Sequence, residues 1–281
     1  MEIYFISDLH ITSHIPPHEG YSNIAKYKKF LDKYTLPADV LCVAGDIANN
    51  TISEVNLLVA ASKMFDKVIY VNGNSEISCK NEEAGVTTAQ KLDKIEKFVQ
   101  NKVGSKSKVI RLDGTPVIYD TVKFTGTMSM ADDKFAKKIH KDDHSWNAQT
   151  QFLEDSFNYW KWWSNDFYEL SKYEIDKLIK ANSNENAGSD VIMTHFAPLN
   201  FVNPNDYPFI HKKEFLTFDA KKVIDTIKDG AIWQYGHLHI KDKRTIKTKN
   251  GEFLLINNSI GRKDSMADTK KFTKRDFLIN L

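Results

Sequence analysis

Short apolar runs alternate with stretches of helical spacing through the first 71 residues, and that order requires a sheet with a parallel portion. Ile3 to Ser7 reads as a buried strand, and Ser22 to Tyr34 carries apolar residues at helical intervals (Ile24, Tyr27, Phe30, Leu31). Val40 to Ala44 is a second strand. Thr51 to Phe65 is a second helix, opened by Thr51-Ile52-Ser53-Glu54 in the form of a capping box. Val68 to Val71 completes βαβαβ. Beyond it, Ala84 to Lys102 has helical spacing, and Val109 to Leu112, Pro116 to Tyr119 and Val122 to Gly126 read as antiparallel strands. Val191 to Thr194 returns to strand, Phe218 to Lys228 to helix and Ile232 to Tyr235 to strand. Further strands are expected near Thr245, at Phe253 to Asn257 and at Phe277 to Ile279.

Between about residues 130 and 186 the sequence becomes highly charged and aromatic, with Trp146, Trp160, Trp162 and Trp163, and reads mostly as helix. Phe152, Phe157, Trp160, Trp163 and Phe167 recur near the spacing of one helix face. That periodicity favours packing against a core over stacking on nucleic-acid bases. No repeat or low-complexity linker divides the chain. The expectation is a single α/β domain over residues 1–281 with a helical, aromatic-rich insert at about 130–186.

A hydrophobic fraction of 41% and an aromatic fraction of 12% suit a globular chain of 281 residues. Net charge is +2, with Lys and Arg scattered among Asp and Glu, which gives no basis for strong non-specific nucleic-acid binding. No apolar run approaches the roughly 20 residues of a membrane span. Met1-Glu2-Ile3-Tyr4-Phe5 has an acid where a signal peptide has a basic segment. Cys42 and Cys79 do not suggest a disulfide framework, so the expected compartment is a reducing cytoplasm. Oligomeric state is not legible.

Metal-competent side chains follow the strands. The first strand runs into Asp8-Leu9-His10, the second into Gly45-Asp46 and the third into Gly73-Asn74-Ser75-Glu76. Later strands run into Thr194-His195 and Gly236-His237-Leu238-His239. In an open α/β sheet the ligand crevice lies beyond the strand carboxyl ends, so two Asp, one Asn and four His meet in one place. Imidazole and carboxylate together suit Mn, Fe, Zn or Ni, with Mn foremost, rather than Mg or Ca. The period-2 spacing of Asp8-x-His10 and His237-x-His239 sends both side chains the same way if the backbone is extended. Seven ligands exceed one tetrahedral ion and suffice for two divalent ions sharing a bridging carboxylate.

In order and spacing, Asp8-x-His10, Gly45-Asp46, Gly73-Asn74, His195 and Gly236-His237-x-His239 resemble the motif set of calcineurin-like metallophosphoesterases. Asn257-Asn258-Ser259 resembles the small polar turn that follows the last motif. The resemblance implies a four-layer α/β/β/α sandwich. It also implies one metal at Asp8, His10 and His239, another at Asn74, His195 and His237, and Asp46 between them. A metal-bound hydroxide would then attack phosphorus.

One position departs from that pattern: Ser75 stands where the family usually has His, and a hydroxyl cannot protonate a leaving group as imidazolium can. Either the leaving group is good, or another histidine serves, or the reaction is slow. His14 and His18, in a proline-containing loop after the first motif, are candidates to touch substrate. His140, His144 and His211 are further candidates for that role; the first two read more readily as a solvated face, and His211, beside Lys212 and Lys213, reads equally as a phosphate contact or an exposed loop residue. The expected activity is metal-dependent hydrolysis of a phosphodiester or pyrophosphate in a small phosphorylated substrate, a nucleotide being one candidate. A DNA or RNA nuclease and a non-catalytic metal-binding scaffold remain as alternatives.

Overall fold

A computed structural model of the chain describes every residue except 17–22, 78–87, 106, 130–166, 184–187, 199–200, 202–216 and 267–271. The strands are β1 Glu2–Ile6, β2 Val40–Ala44, β3 Lys67–Val71, β4 Val109–Arg111, β5 Val117–Tyr119 and β6 Val122–Thr127. They continue as β7 Val191–Thr194, β8 Ala197–Pro198, β9 Thr217–Phe218, β10 Ile232–Gln234, β11 Lys241–Thr248 and β12 Gly251–Asn258. β13 Gly261–Arg262, β14 Ser265–Met266 and β15 Leu278–Asn280 complete the set.

Two sheets hold most of these strands. One has the order β15-β1-β2-β3-β4, the other β11-β12-β10-β7-β6-β5. β1 to β4 are mutually parallel, and β15 runs antiparallel along β1. In the second sheet β6, β7, β10 and β12 are parallel, with antiparallel β11 and β5 at the edges. The parallel strands read as continuous apolar runs because they are covered on both faces: β2 and β3 are buried at every residue. Helices Ile24–Tyr34, Thr51–Ala61 and Thr88–Val103 pack in succession, and helix Phe167–Asn182 packs on β6. This is the expected α/β architecture with two parallel-rich sheets.

The sheets are joined by polar contacts as well as by apolar packing. The Gln234 side-chain amide on β10 donates to the carbonyls of Ile6 at 2.8 Å and Cys42 at 3.3 Å. Asn258 Nδ2 on β12 donates to the Phe5 carbonyl at 2.8 Å. Buried amide N–H groups paired across the seam in this way favour one register between the sheets.

Three local expectations differ from the structure. β4 does not open an antiparallel meander: it joins β3 in parallel, and only β5 and β6 form a hairpin. The helix at Thr51 is capped one residue earlier, by the Asn50 side chain accepting the Ser53 N–H at 2.9 Å, so Thr51 is inside the helix. The helix expected over Phe218 to Lys228 is confined to Lys221–Ile224. The insert, its four tryptophans and Cys79 lie mostly or wholly outside the described residues, although its end is helical from Phe167. Among the described residues no helix is long and apolar enough to cross a membrane.

Candidate metal centre

The five expected strand ends converge. β1, β2 and β3 of the first sheet deliver Asp8, His10, Asp46 and Asn74, and β7 and β10 of the second deliver His195, His237 and His239. The backbone at these residues is not extended. Asp8, His10, Asp46, His237 and His239 all have positive φ, between 38° and 69°, and they are five of the seven described non-glycine residues that do. Left-handed conformations are costly for L-residues and concentrate where a site demands them. The Asp-x-His and His-x-His pairs therefore converge by two left-handed turns each, and not by strand alternation.

Two groups of donor atoms result, and they share Asp46. Asp8, His10, Asp46 and His239 form one, while Asp46, His195 and His237 form the other. The two oxygens of Asp46 are divided between them: Oδ2 lies 3.5 Å from His10 Nε2, and Oδ1 lies 3.5 Å from His195 Nε2. His10 Nε2 is 2.8 Å from His239 Nε2, and His239 Nε2 is 3.8 Å from Asp8 Oδ1. On the other side His195 Nε2 is 3.1 Å from His237 Nδ1 and 3.0 Å from Asn74 Oδ1.

The surroundings hold these side chains in place. His195 Nδ1 donates to the Ala44 carbonyl at 2.9 Å, which leaves Nε2 as a lone pair facing Asp46. Asp8 accepts the His237 backbone N–H on both oxygens, at 2.9 and 3.1 Å. Gly45 has φ 76° and no room for a side chain, since a Cβ there would lie 2.5 Å from His195 Nδ1. Glu76, to which the sequence reading gave no role, accepts four backbone N–H groups. These come from Gly73 at 2.6 Å, Ile47 at 2.7 Å, Asp46 at 2.9 Å and Ala48 at 3.1 Å.

The electrostatics suit cation binding. Burial lowers the His10 and His237 pKa values, so both imidazoles are neutral near pH 7 with lone pairs available. Burial would raise Asp46, but His195, His10 and His237 pull it down to about 2, so it is ionised. His195 is also opposed by burial, yet Asp46, Asp8 and the Ala44 carbonyl leave its pKa raised. Glu76 is pushed up to about 7, by burial first and by Asp46 beside it.

The donor set fits divalent transition ions. Ring nitrogens approach in pairs with carboxylate oxygens beside them: His10 Nε2 with His239 Nε2, and His195 Nε2 with His237 Nδ1. A cation among these atoms would offset the repulsion between facing lone pairs.

His14 Nε2 is 3.0 Å from the Gly261 carbonyl, and its ring packs on Phe30 and Tyr34, outside both donor groups. His18, His140, His144 and His211 fall outside the described residues. Ser75 follows Asn74 as expected, and its backbone N–H donates to Asp46 Oδ1 at 2.8 Å.

A family model described as calcineurin-like phosphoesterase matches residues 1–241. Among solved structures the chain is similar to phosphopantetheinyl hydrolase from Mycobacterium tuberculosis, at 18% identity and a TM-score of 0.65, covering 98% of this chain and 94% of that one. It is more distantly similar to an archaeal phosphodiesterase, at 11% identity and a TM-score of 0.34, covering 93% of this chain and 84% of that one. No curated protein matches significantly.

Proposed function

The chain belongs to the calcineurin-like phosphoesterase family and is a phosphoester hydrolase, and from that premise we propose that it uses two divalent metal ions, Mn foremost, to cleave a phosphodiester or pyrophosphate bond. The observation that carries this reading is Asp46, whose two oxygens face different donor groups. Asp8, His10 and His239 would hold one ion, Asn74, His195 and His237 the other, with Asp46 between them. Such ions supply Lewis-acid activation of water and neutralisation of phosphoryl charge.

The protein's own residues set the geometry. Asp46 is oriented by the N–H of Ser75, and Glu76 holds the two turns from which Asp46 and Asn74 project. His195 is oriented by Ala44, so that Nε2 of the neutral ring would be its ligand atom. The Ser75 hydroxyl is no proton donor near neutral pH, so the reading favours a leaving group stable as an anion, which a pyrophosphate provides. The whole chain acts as one domain in this reading, with the segment at about 130–186 as an insertion.

Elemental analysis of Mn-reconstituted protein should give about two ions per chain, and one or none would reject the dinuclear reading. The substrate should come from a panel of bis-p-nitrophenyl phosphate, p-nitrophenyl phosphate, cyclic nucleotides, nucleoside diphosphate sugars and single-stranded DNA. Because the Mycobacterium protein of similar fold is named for a phosphopantetheinyl group, such an ester belongs in the panel. Preference for p-nitrophenyl phosphate would overturn the diester or pyrophosphate assignment.

A further inference from the structure

The hairpin β13–β14 lies beyond the last motif and is fastened directly to the metal-centre turns. The Ile260 N–H donates to the Ser7 carbonyl at 3.1 Å, and the Gly261 N–H to the Asp8 carbonyl at 2.9 Å. From the other side His14 Nε2 meets the Gly261 carbonyl, and the Lys263 N–H donates to Ser13 Oγ at 3.2 Å. Residue 262 is thus held between two anchored neighbours. Arg262 is also the first exposed residue after the buried run from Asn257 to Gly261.

Its backbone follows directly on the Gly261 contact with Asp8, one residue of the first donor group, whereas the Lys263 N–H is taken up by Ser13. Among the described residues no carboxylate pairs with Arg262. A guanidinium carried on a backbone held beside a phosphate-cleaving centre has the planar fork that matches phosphoryl oxygens.

We propose that Arg262 binds a second anionic phosphoryl group of the substrate, next to the one that reacts, and so selects a pyrophosphate-type substrate over a singly charged phosphodiester. This rests on the diester or pyrophosphate reading above and narrows it. The metal centre grips the reacting phosphoryl group, and Arg262, one residue beyond the Asp8 contact, grips its neighbour. Being exposed, the contact weakens as ionic strength rises.

The probes are α,β-methylene-ADP, whose P–C–P link resists hydrolysis, and AMP, titrated calorimetrically into Mn-loaded protein with excess Mn. Arg262→Ala should weaken α,β-methylene-ADP about tenfold, the effect of one charge-assisted contact, and weaken AMP much less. Arg262→Lys should recover part of the affinity, and Lys263→Ala should leave both affinities as in the wild type. Equal losses for both nucleotides, no loss for either, or no binding of α,β-methylene-ADP by the wild type would overturn the proposal. The two readings fail separately. If the wild type hydrolyses neither a phosphodiester nor a pyrophosphate but still binds α,β-methylene-ADP through Arg262, only the hydrolytic reading falls.

Discussion

Oε2 of Glu76 accepts the backbone N–H of Asp46 at 2.9 Å, so the residue common to both donor groups is held by a carboxylate that belongs to neither. Glu76→Gln replaces one accepting oxygen by an NH2 that confronts backbone N–H groups. The expected cost is on the order of 1–3 kcal/mol for donors left buried and unpaired. Metal affinity should fall by roughly 10–100-fold, as for other partners that orient ligands. Denaturant unfolding and metal titration check both effects. Unchanged values would show that the turns are held without Glu76.

Asp46→Asn should be the most damaging single ligand change, because a neutral amide is a poor link between two cations. Turnover should drop by more than about 10²-fold, beyond the loss of an orienting partner, while the fold persists by circular dichroism. If Asp46→Asn kept most of its activity and His10→Ala did not, the bridging role would belong elsewhere.

How much of this was legible in the sequence differs between topology, ligands and backbone. After the leading Glu2 and Lys67, the runs at β1, β2 and β3 are apolar because both faces are covered, and such runs announce parallel strands. The three-residue strands β4 and β5 are too short to declare a partner, which is why β4 was expected in a meander and is found beside β3. Asn50 was missed as a cap because Thr51 to Glu54 offers a competing capping pattern. The residues of the site were legible from where the strands stop. Their left-handed backbone was not, since nothing in Asp-x-His distinguishes an alternating strand from two turns. Glu76 left little trace, because an acid accepting backbone N–H groups has no spacing rule.

His14 provides a pH probe away from the ligands. Burial, opposed by the Gly261 carbonyl and aided by Lys33 and Lys263, lowers its pKa from the ordinary 6.5. The folded state therefore binds this proton less readily than the unfolded state. Its contribution is fully present above pH 6.5 and is lost as pH falls from there through the lower folded value. Between about pH 7 and about pH 5 the Tm of wild-type protein should decline more steeply than that of His14→Gln, which keeps a donor and cannot titrate. Parallel slopes would mean that His14 is protonated alike in both states.

Ser75→His tests the missing acid. If leaving-group quality replaces it, turnover should rise by about 10²–10⁴-fold for an alkoxide leaving group and change little for p-nitrophenolate. If a neighbouring histidine already serves, Ser75→His should do little and His14→Ala or His18→Ala should be the damaging change. The contact of His14 with Gly261 makes the first outcome the expected one. Small, uniform effects from all three variants on both substrates would leave Ser75 without a chemical role.

The origin of the donors makes the site a clasp across the seam of the fold. Asp8, His10, Asp46 and Asn74 come from the β1–β3 side, His195, His237 and His239 from the β7–β10 side, and each donor group draws on both. A chain in which only one sheet had formed would present only part of each group and grip an ion weakly. Tight metal uptake during refolding should therefore report the moment at which the two sheets dock. The loaded ions would in turn resist any sliding of one sheet over the other.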